Sequence, residues 1–147
     1  MKKLKLIGLG LLIMVTSIAF IGCKAKTITI DFVVALGPAL NLGSTDLKKI
    51  VHTEDEWNVI LDGLDLDVTY DNEFFKDNSL LVYAFGTPAK GYQMEVTNIS
   101  KKGKEILVEI DVFWGYMDMI SMGTFVIEVK KSDIKNANSL RIAYNEI

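Results

Sequence analysis

The chain contains one histidine and one cysteine, two residue types that often carry covalent or metal chemistry. His52 would have to be the base of any Ser-His-Asp hydrolase site. It stands just before a predicted helix start with no nucleophile motif beside it, so we interpret it as a surface or capping histidine. One histidine and one cysteine cannot supply the ligands of a typical zinc site. The sequence has no P-loop, dinucleotide glycine motif or paired cysteines, and we expect no catalytic residues and no enzyme.

Acidic residues are concentrated in the middle of the chain, at Asp62, Asp65, Asp67, Asp71 and Glu73. Clustered carboxylates are ligands for hard cations such as calcium. The spacing is not that of an EF-hand loop, however, and Leu66, Val68 and Tyr70 alternate with the acids. The pattern favours a strand with one solvated acidic face, and we predict neither a metal site nor a cofactor.

A third group of interest is the segment from Gly115 to Gly123, which is rich in methionine and aromatic residues. Thioethers can hold cuprous copper, but methionine more often fills a core or lines an adaptable binding surface. We predict a partner surface here, and the competing interpretation is a further strand. The candidate residues are Tyr116, Met117, Met119, Ile120 and Met122.

The single cysteine follows a segment that differs from the rest of the chain. Residues 1–5 are basic apart from Met1 and Leu4, and residues 6–21 are almost entirely apolar. This is the layout of a secretory signal. The apolar run is slightly short for a spanning helix, which needs roughly 20 such residues, so a retained anchor helix is the less favoured alternative.

The segment ends Ala19-Phe20-Ile21-Gly22-Cys23, which resembles the lipobox of bacterial lipoproteins, with Phe20 where leucine is usual. Gly22 leaves the backbone open to a peptidase, and the Cys23 thiol can accept a diacylglyceryl group. An ordinary signal peptide with a chance cysteine is the alternative. We expect residues 1–22 to be a signal peptide, and residues 23–26 to be the lipidated cysteine and a short tether. The protein would then be lipid-anchored in the cell membrane or outer membrane, on its extracytoplasmic side.

The remaining residues, 27–147, are enough for one domain with its own core. A single cysteine excludes an internal disulfide. Without residues 1–22 the chain has 13 Lys and Arg against 19 Asp and Glu, a net charge of about −6. Such a charge disfavours nucleic-acid binding, and we expect that charge does not draw the domain to anionic lipid, so that the lipid on Cys23 must do the anchoring.

One helix is indicated clearly. Thr53 followed by Glu56 forms a capping box, and the apolar residues after it recur at helical spacing until Gly63. A shorter helix could begin at Ser44 or Thr45 and run through Ile50. Residues 72–76 could form a helical turn.

Most other segments have strand patterns, with a hairpin turn at residues 100–104. The predicted strands are residues 27–36 (ended by Gly37 and Pro38), 68–70, 79–85, 92–99, 106–114, 124–130 and 140–144. We therefore predict an α+β fold, with a mainly antiparallel sheet of six to seven strands and one clear helix packed on it. The expected core residues are Trp57, Ile60, Leu61, Leu81, Tyr83, Val108, Ile110, Ile127 and Val129.

The order of several motifs resembles the PrcB C-terminal-like family of bacterial exported proteins. The matching parts are Glu56-Trp57 in the helix and residues 72–86, 90–96, 105–112 and 124–130, within Glu54 to Lys131. Lys90 stands where the family has the first glycine of a Gly-Gly-Tyr element, and the last strand lacks the family's proline. The resemblance implies a non-catalytic accessory subunit of a surface protease complex, and it transfers no catalytic residues.

Taken together, these patterns predict a membrane-anchored lipoprotein that binds a protein partner, such as an exported protease or another envelope protein. The alternative is an envelope lipoprotein that binds a small ligand or a metal.

Overall fold

The computed structural model describes residues 25–39, 46–64, 66–87, 92–114 and 121–147, which form eight strands and two helices. The strands are β1 (Thr27–Thr29), β2 (Phe32–Ala39), β3 (Leu47–Val51), β4 (Asn78–Thr87), β5 (Tyr92–Lys102), β6 (Glu105–Trp114), β7 (Ser121–Lys130) and β8 (Ser139–Glu146). The helices are α1 (Glu54–Leu64) and α2 (Phe74–Asp77). Neither helix in the described part of the chain has the length and apolar character needed to span a membrane.

The strands form two sheets of four, in the orders β1-β5-β6-β8 and β2-β7-β4-β3. All neighbouring strands pair antiparallel except β6 and β8, which run parallel. The predicted α+β class is confirmed, with one long helix. The predicted single sheet of six to seven strands is wrong, because eight strands divide between two sheets.

The two sheets face each other across a shared apolar core. Tyr83 and Phe125 contribute to it from one sheet, and Val108 and Ile110 contribute from the other. The opposite face of β4 is also buried, because α1 covers Leu80 and its neighbours. The layers are therefore helix, sheet, sheet, and β4 is buried on both faces as its apolar sequence predicted.

Helix α1 begins as its capping residues predicted, with the Glu56 amide donating to Thr53 Oγ1 at 3.2 Å. Trp57, Ile60 and Leu64 are buried, whereas Leu61 is only half-buried. Of the nine expected core residues, all except Leu61 are therefore buried. The indole of Trp57 also donates a hydrogen bond to the Val68 carbonyl at 3.2 Å, which fixes the chain after the helix.

The first predicted strand, residues 27–36, is in fact two strands in different sheets. The chain crosses between the sheets at Ile30, which is buried and donates its amide to the Ile99 carbonyl at 2.9 Å. The second strand then continues through Gly37 and Pro38 to Ala39 instead of ending there. Proline is tolerated because β2 is an edge strand.

The short helix predicted from residue 44 or 45 to Ile50 is wrong, because Leu47–Val51 forms β3. These residues pair with β4 from Leu47 opposite Ala84 to Val51 opposite Leu80. Hydrogen bonding along the edge of β4 therefore stabilises a strand at Leu47–Val51, although the local sequence favours a helix. Ser44 and Thr45 lie outside the described residues.

The brief strand predicted at residues 68–70 is not a strand. Its alternation has another cause: Leu66, Val68 and Tyr70 pack on the core beneath α1, while Asp67 and Thr69 are exposed. The helical turn predicted at residues 72–76 is confirmed as α2, which starts two residues later. The hairpin turn is tighter than predicted, because Lys102 pairs with Glu105 and leaves only Gly103 and Lys104 between them.

Candidate functional site

The predicted lipidation residue, Cys23, lies outside the described residues, but the chain that follows it is described from Ala25. Ala25 and Lys26 are exposed, and Thr27 then pairs with Lys102 at the end of β5. A side chain at Gly103 would have its Cβ 3.6 Å from the Cβ of Ala25. The chain therefore enters the fold beside the β5–β6 turn, and we call this the anchor end of the molecule.

The strands on either side of the predicted partner segment, β6 and β7, end or begin away from the anchor end. Tyr116, Met117, Met119 and Ile120 lie outside the described residues, while Met122 is in β7, where its backbone pairs with Gly86. Residues 121–123 are the start of β7, which begins three residues earlier than predicted. Strand β6 starts at the β5–β6 turn and ends at Trp114, so its ten residues separate the two ends by roughly 30 Å.

His52 is not a free surface residue, because its side chain contacts a serine far away in the sequence. Its Nδ1 lies 2.9 Å from Ser79 Oγ, and its backbone amide donates to Glu56 Oε2 at 2.7 Å. Ser79 is completely buried in β4. A nucleophilic serine has to reach its substrate, so this histidine–serine pair fastens the start of α1 to the sheet and is not a hydrolase site.

A second polar contact is buried beneath α1. The Tyr70 hydroxyl donates to Glu128 Oε1 at 2.8 Å, and the Tyr70 ring packs 5.5 Å from Trp57 and 4.4 Å from Phe74, measured between ring centroids. Burial, followed by the hydrogen bond and the negative charge of Glu128, raises the pKa of Tyr70 above its usual value. The sequence did not predict this contact, because its partners are 58 residues apart.

The described residues of the acidic stretch make separate local contacts. Asp71 Oδ1 accepts the Phe74 amide at 2.9 Å and so caps α2, and Glu73 forms an ion pair with Lys76. Asp65 lies outside the described residues. Among the residues that the structure describes, no group of three or more His, Cys, Asp or Glu side chains is placed to hold a metal ion.

A small cavity of about 230 Å³ opens at the edge of the second sheet, between β2 and the start of β4. Its walls include Asp31, Val33, Asn78 and Lys130. Val33 is 61% exposed, so the cavity borders an apolar edge of the sheet. Ligand sites usually measure 300 to 1,000 Å³, and this cavity is smaller.

No protein-family model, curated protein or solved structure matches this chain. The resemblance to the PrcB C-terminal-like family therefore stays a prediction.

The described residues that flank the two predicted sites thus lie at opposite ends of the sandwich. The chain from Cys23 arrives at the anchor end, and the strands that flank residues 115–120 end at the other. Sequence patterns predicted both segments, but they did not predict that Thr27 pairs with Lys102, which places the start of β1 beside the β5–β6 turn.

Proposed function

We propose that this chain is a lipoprotein, anchored through Cys23, that presents a non-catalytic protein-binding domain outside the cell membrane or on the outer membrane. The observation that carries the proposal is that the two ends of the fold differ. The tether enters beside the β5–β6 turn, and the methionine-rich segment connects strands at the opposite end.

The anchoring part of the proposal rests on the lipobox and on a short tether. Only four residue steps separate Cys23 from Thr27, so a fully extended tether reaches roughly 14 Å at most. An acyl group on Cys23 would hold β1 and the β5–β6 turn within that distance of the membrane surface. The domain would then sit close to the lipid with its other end pointing away.

The binding part rests on the residues at the end away from the anchor. Tyr116, Met117, Met119 and Ile120 lie between the well-formed strands β6 and β7. Connections held by a rigid sheet often carry binding residues, and methionine with aromatic residues suits an adaptable interface. The resemblance to the PrcB C-terminal-like family suggests an exported protease complex as the partner.

The partner surface is tested by changing Met117 and Met119 to Ser in the full-length protein. Both lie outside the described residues, whereas Met122 is in β7. We expect the recovery of a partner cross-linked in intact cells to fall at least tenfold, while the melting temperature stays within about 2 °C of wild type, as surface changes usually permit.

The matched control is Val59→Ser, which removes an apolar side chain that is 72% exposed on the outer side of α1. It should leave partner recovery unchanged. If the methionine variant melts much lower than wild type, these residues belong to the core and the proposed partner surface is wrong.

A further inference from the structure

Lysines are concentrated at the anchor end of a domain that is acidic overall. Lys26 precedes β1, Lys102 pairs with Thr27, and Lys104 follows in the turn. The Lys101 ammonium donates to the Lys135 carbonyl, and the Lys104 carbonyl accepts the Asn138 amide at 2.9 Å. These contacts bring together five lysines, which we call the basic end: Lys26, Lys101, Lys102, Lys104 and Lys135.

Acidic residues offset this charge only in part. Glu105 lies beside the turn, but its carboxylate is paired with Arg141 at 3.2 Å. Asp31 and Asp133 lie in segments that border the basic end, and Asp77 lies at the same end of the second sheet, where its carbonyl accepts the Lys131 amide at 2.9 Å. By contrast, Glu95 and Asp111 lie directly opposite each other farther along β5 and β6, on the outer face of their sheet. The excess of lysine is therefore local to the β5–β6 turn and the start of β1.

We propose that the basic end docks on the anionic phospholipid surface of the membrane that holds the lipid on Cys23. This inference rests on the proposed anchoring, and it adds an orientation to it. Lys26, Lys102 and Lys104 are exposed within a few residues of the tether, and Ile28, 51% exposed between them, can contact the headgroup boundary.

The average charge of the domain predicts no such attraction, but attraction depends on the charges within a Debye length of the surface, roughly 8 to 10 Å. A short tether places the basic end inside that distance, whereas Glu95 and Asp111, seven and six residues farther along β5 and β6, lie outside it. Each lysine at an anionic surface raises the population of the docked orientation by about fivefold. The acyl chains hold the protein on the membrane, and the lysines hold the partner segment away from it.

The orientation is tested with the full lipidated protein in vesicles of phosphatidylcholine alone, or with 30% phosphatidylglycerol. A fluorophore on Thr27→Cys reports on the anchor end, and one on Glu146→Cys reports on the opposite end of β8. Nitroxide headgroups quench whichever fluorophore lies close to the surface. We expect at least twofold more quenching at position 27 on anionic than on neutral vesicles, and little quenching at position 146 on either. The difference at position 27 should disappear in 0.5 M NaCl, because salt shortens the Debye length.

Two variants that each remove two positive charges test whether the lysines of the basic end cause the docking. K102Q/K104Q should abolish the anionic enhancement, whereas K48Q/K49Q, which removes two lysines from β3, should keep it. Equal quenching on both vesicle types, or equal loss in both variants, would overturn the docking while leaving the anchor intact. Failure of the purified protein to float even with neutral vesicles would overturn the anchor and, with it, the docking.

Discussion

Tyr70 shows how one buried contact links the stability of this fold to pH. Its hydroxyl donates to Glu128 beneath α1, and both burial and that carboxylate raise the pKa of Tyr70. In the unfolded chain the phenol has its ordinary pKa near 10. The stabilisation is therefore complete below pH 10 and is lost as the pH rises from there toward the folded pKa, because only the unfolded chain then releases the proton.

Replacing Tyr70 by Phe should make the alkaline loss of stability shallower. We expect the melting temperature of wild type to fall more steeply than that of Tyr70→Phe between pH 9 and pH 11. Glu128→Gln, which keeps an acceptor but removes the charge, should give an intermediate slope. Parallel slopes for wild type and Tyr70→Phe would contradict the assignment.

At the residue scale, burial was predicted well from the sequence and polar pairing was not. The burial of Trp57 follows from its helical spacing with Ile60 and Leu64, which is a local pattern. The contact between His52 and Ser79 joins residues 27 positions apart in different elements, so nothing near His52 could indicate it. The sequence therefore predicted a surface or capping histidine and did not indicate its contact with Ser79.

The β5–β6 turn decides the geometry of the anchor end at the scale of the elements. Gly103 has a φ of +63°, and it is the first of two residues that link paired Lys102 and Glu105. Positive φ at that position suits glycine, as in the two-residue turns of hairpins. The turn sets the register of both strands and holds Lys102 beside Thr27.

Replacing Gly103 by Ala should lower the free energy of unfolding by about 1–2 kcal/mol, since an L-residue is strained at positive φ. The added Cβ meets Ala25 at an ordinary contact distance, so packing does not add to the cost. Lys104→Ala is the control, because Lys104 is not among the described residues with positive φ. If urea denaturation gives the same free energy of unfolding for both variants, alanine does not strain the turn.

Elements with local signals were predicted better than those formed by distant pairing. The cap at Thr53 and the alternation in β6 are complete within their own segments. Leu47–Val51 became a strand because β4 offers it a hydrogen-bonded edge, and β4 lies about 30 residues further along the chain. The division of residues 27–36 between two sheets likewise depends on pairing with β5 and β7.

At the scale of the whole molecule, the two ends carry different groups of residues, and this difference follows from the topology. The tether and five lysines meet at the end formed by the β5–β6 turn, and the strands flanking residues 115–120 end at the other. The sequence predicted the anchor segment and the methionine-rich segment separately. The relation between the two ends could not be predicted, because it depends on the pairing of Thr27 with Lys102, which are far apart in the sequence.

The central claim is that Cys23 carries the lipid, and mass spectrometry of the N-terminus of membrane-purified protein tests it most directly. The account predicts a mature chain that begins at Cys23, with the mass of a diacylglyceryl group on the thiol. Cys23→Ser, prepared in the same way, should lack this species and either leave the membrane fraction or keep residues 1–22. A wild-type protein with an unmodified Cys23, or one cleaved at another residue, would contradict the account.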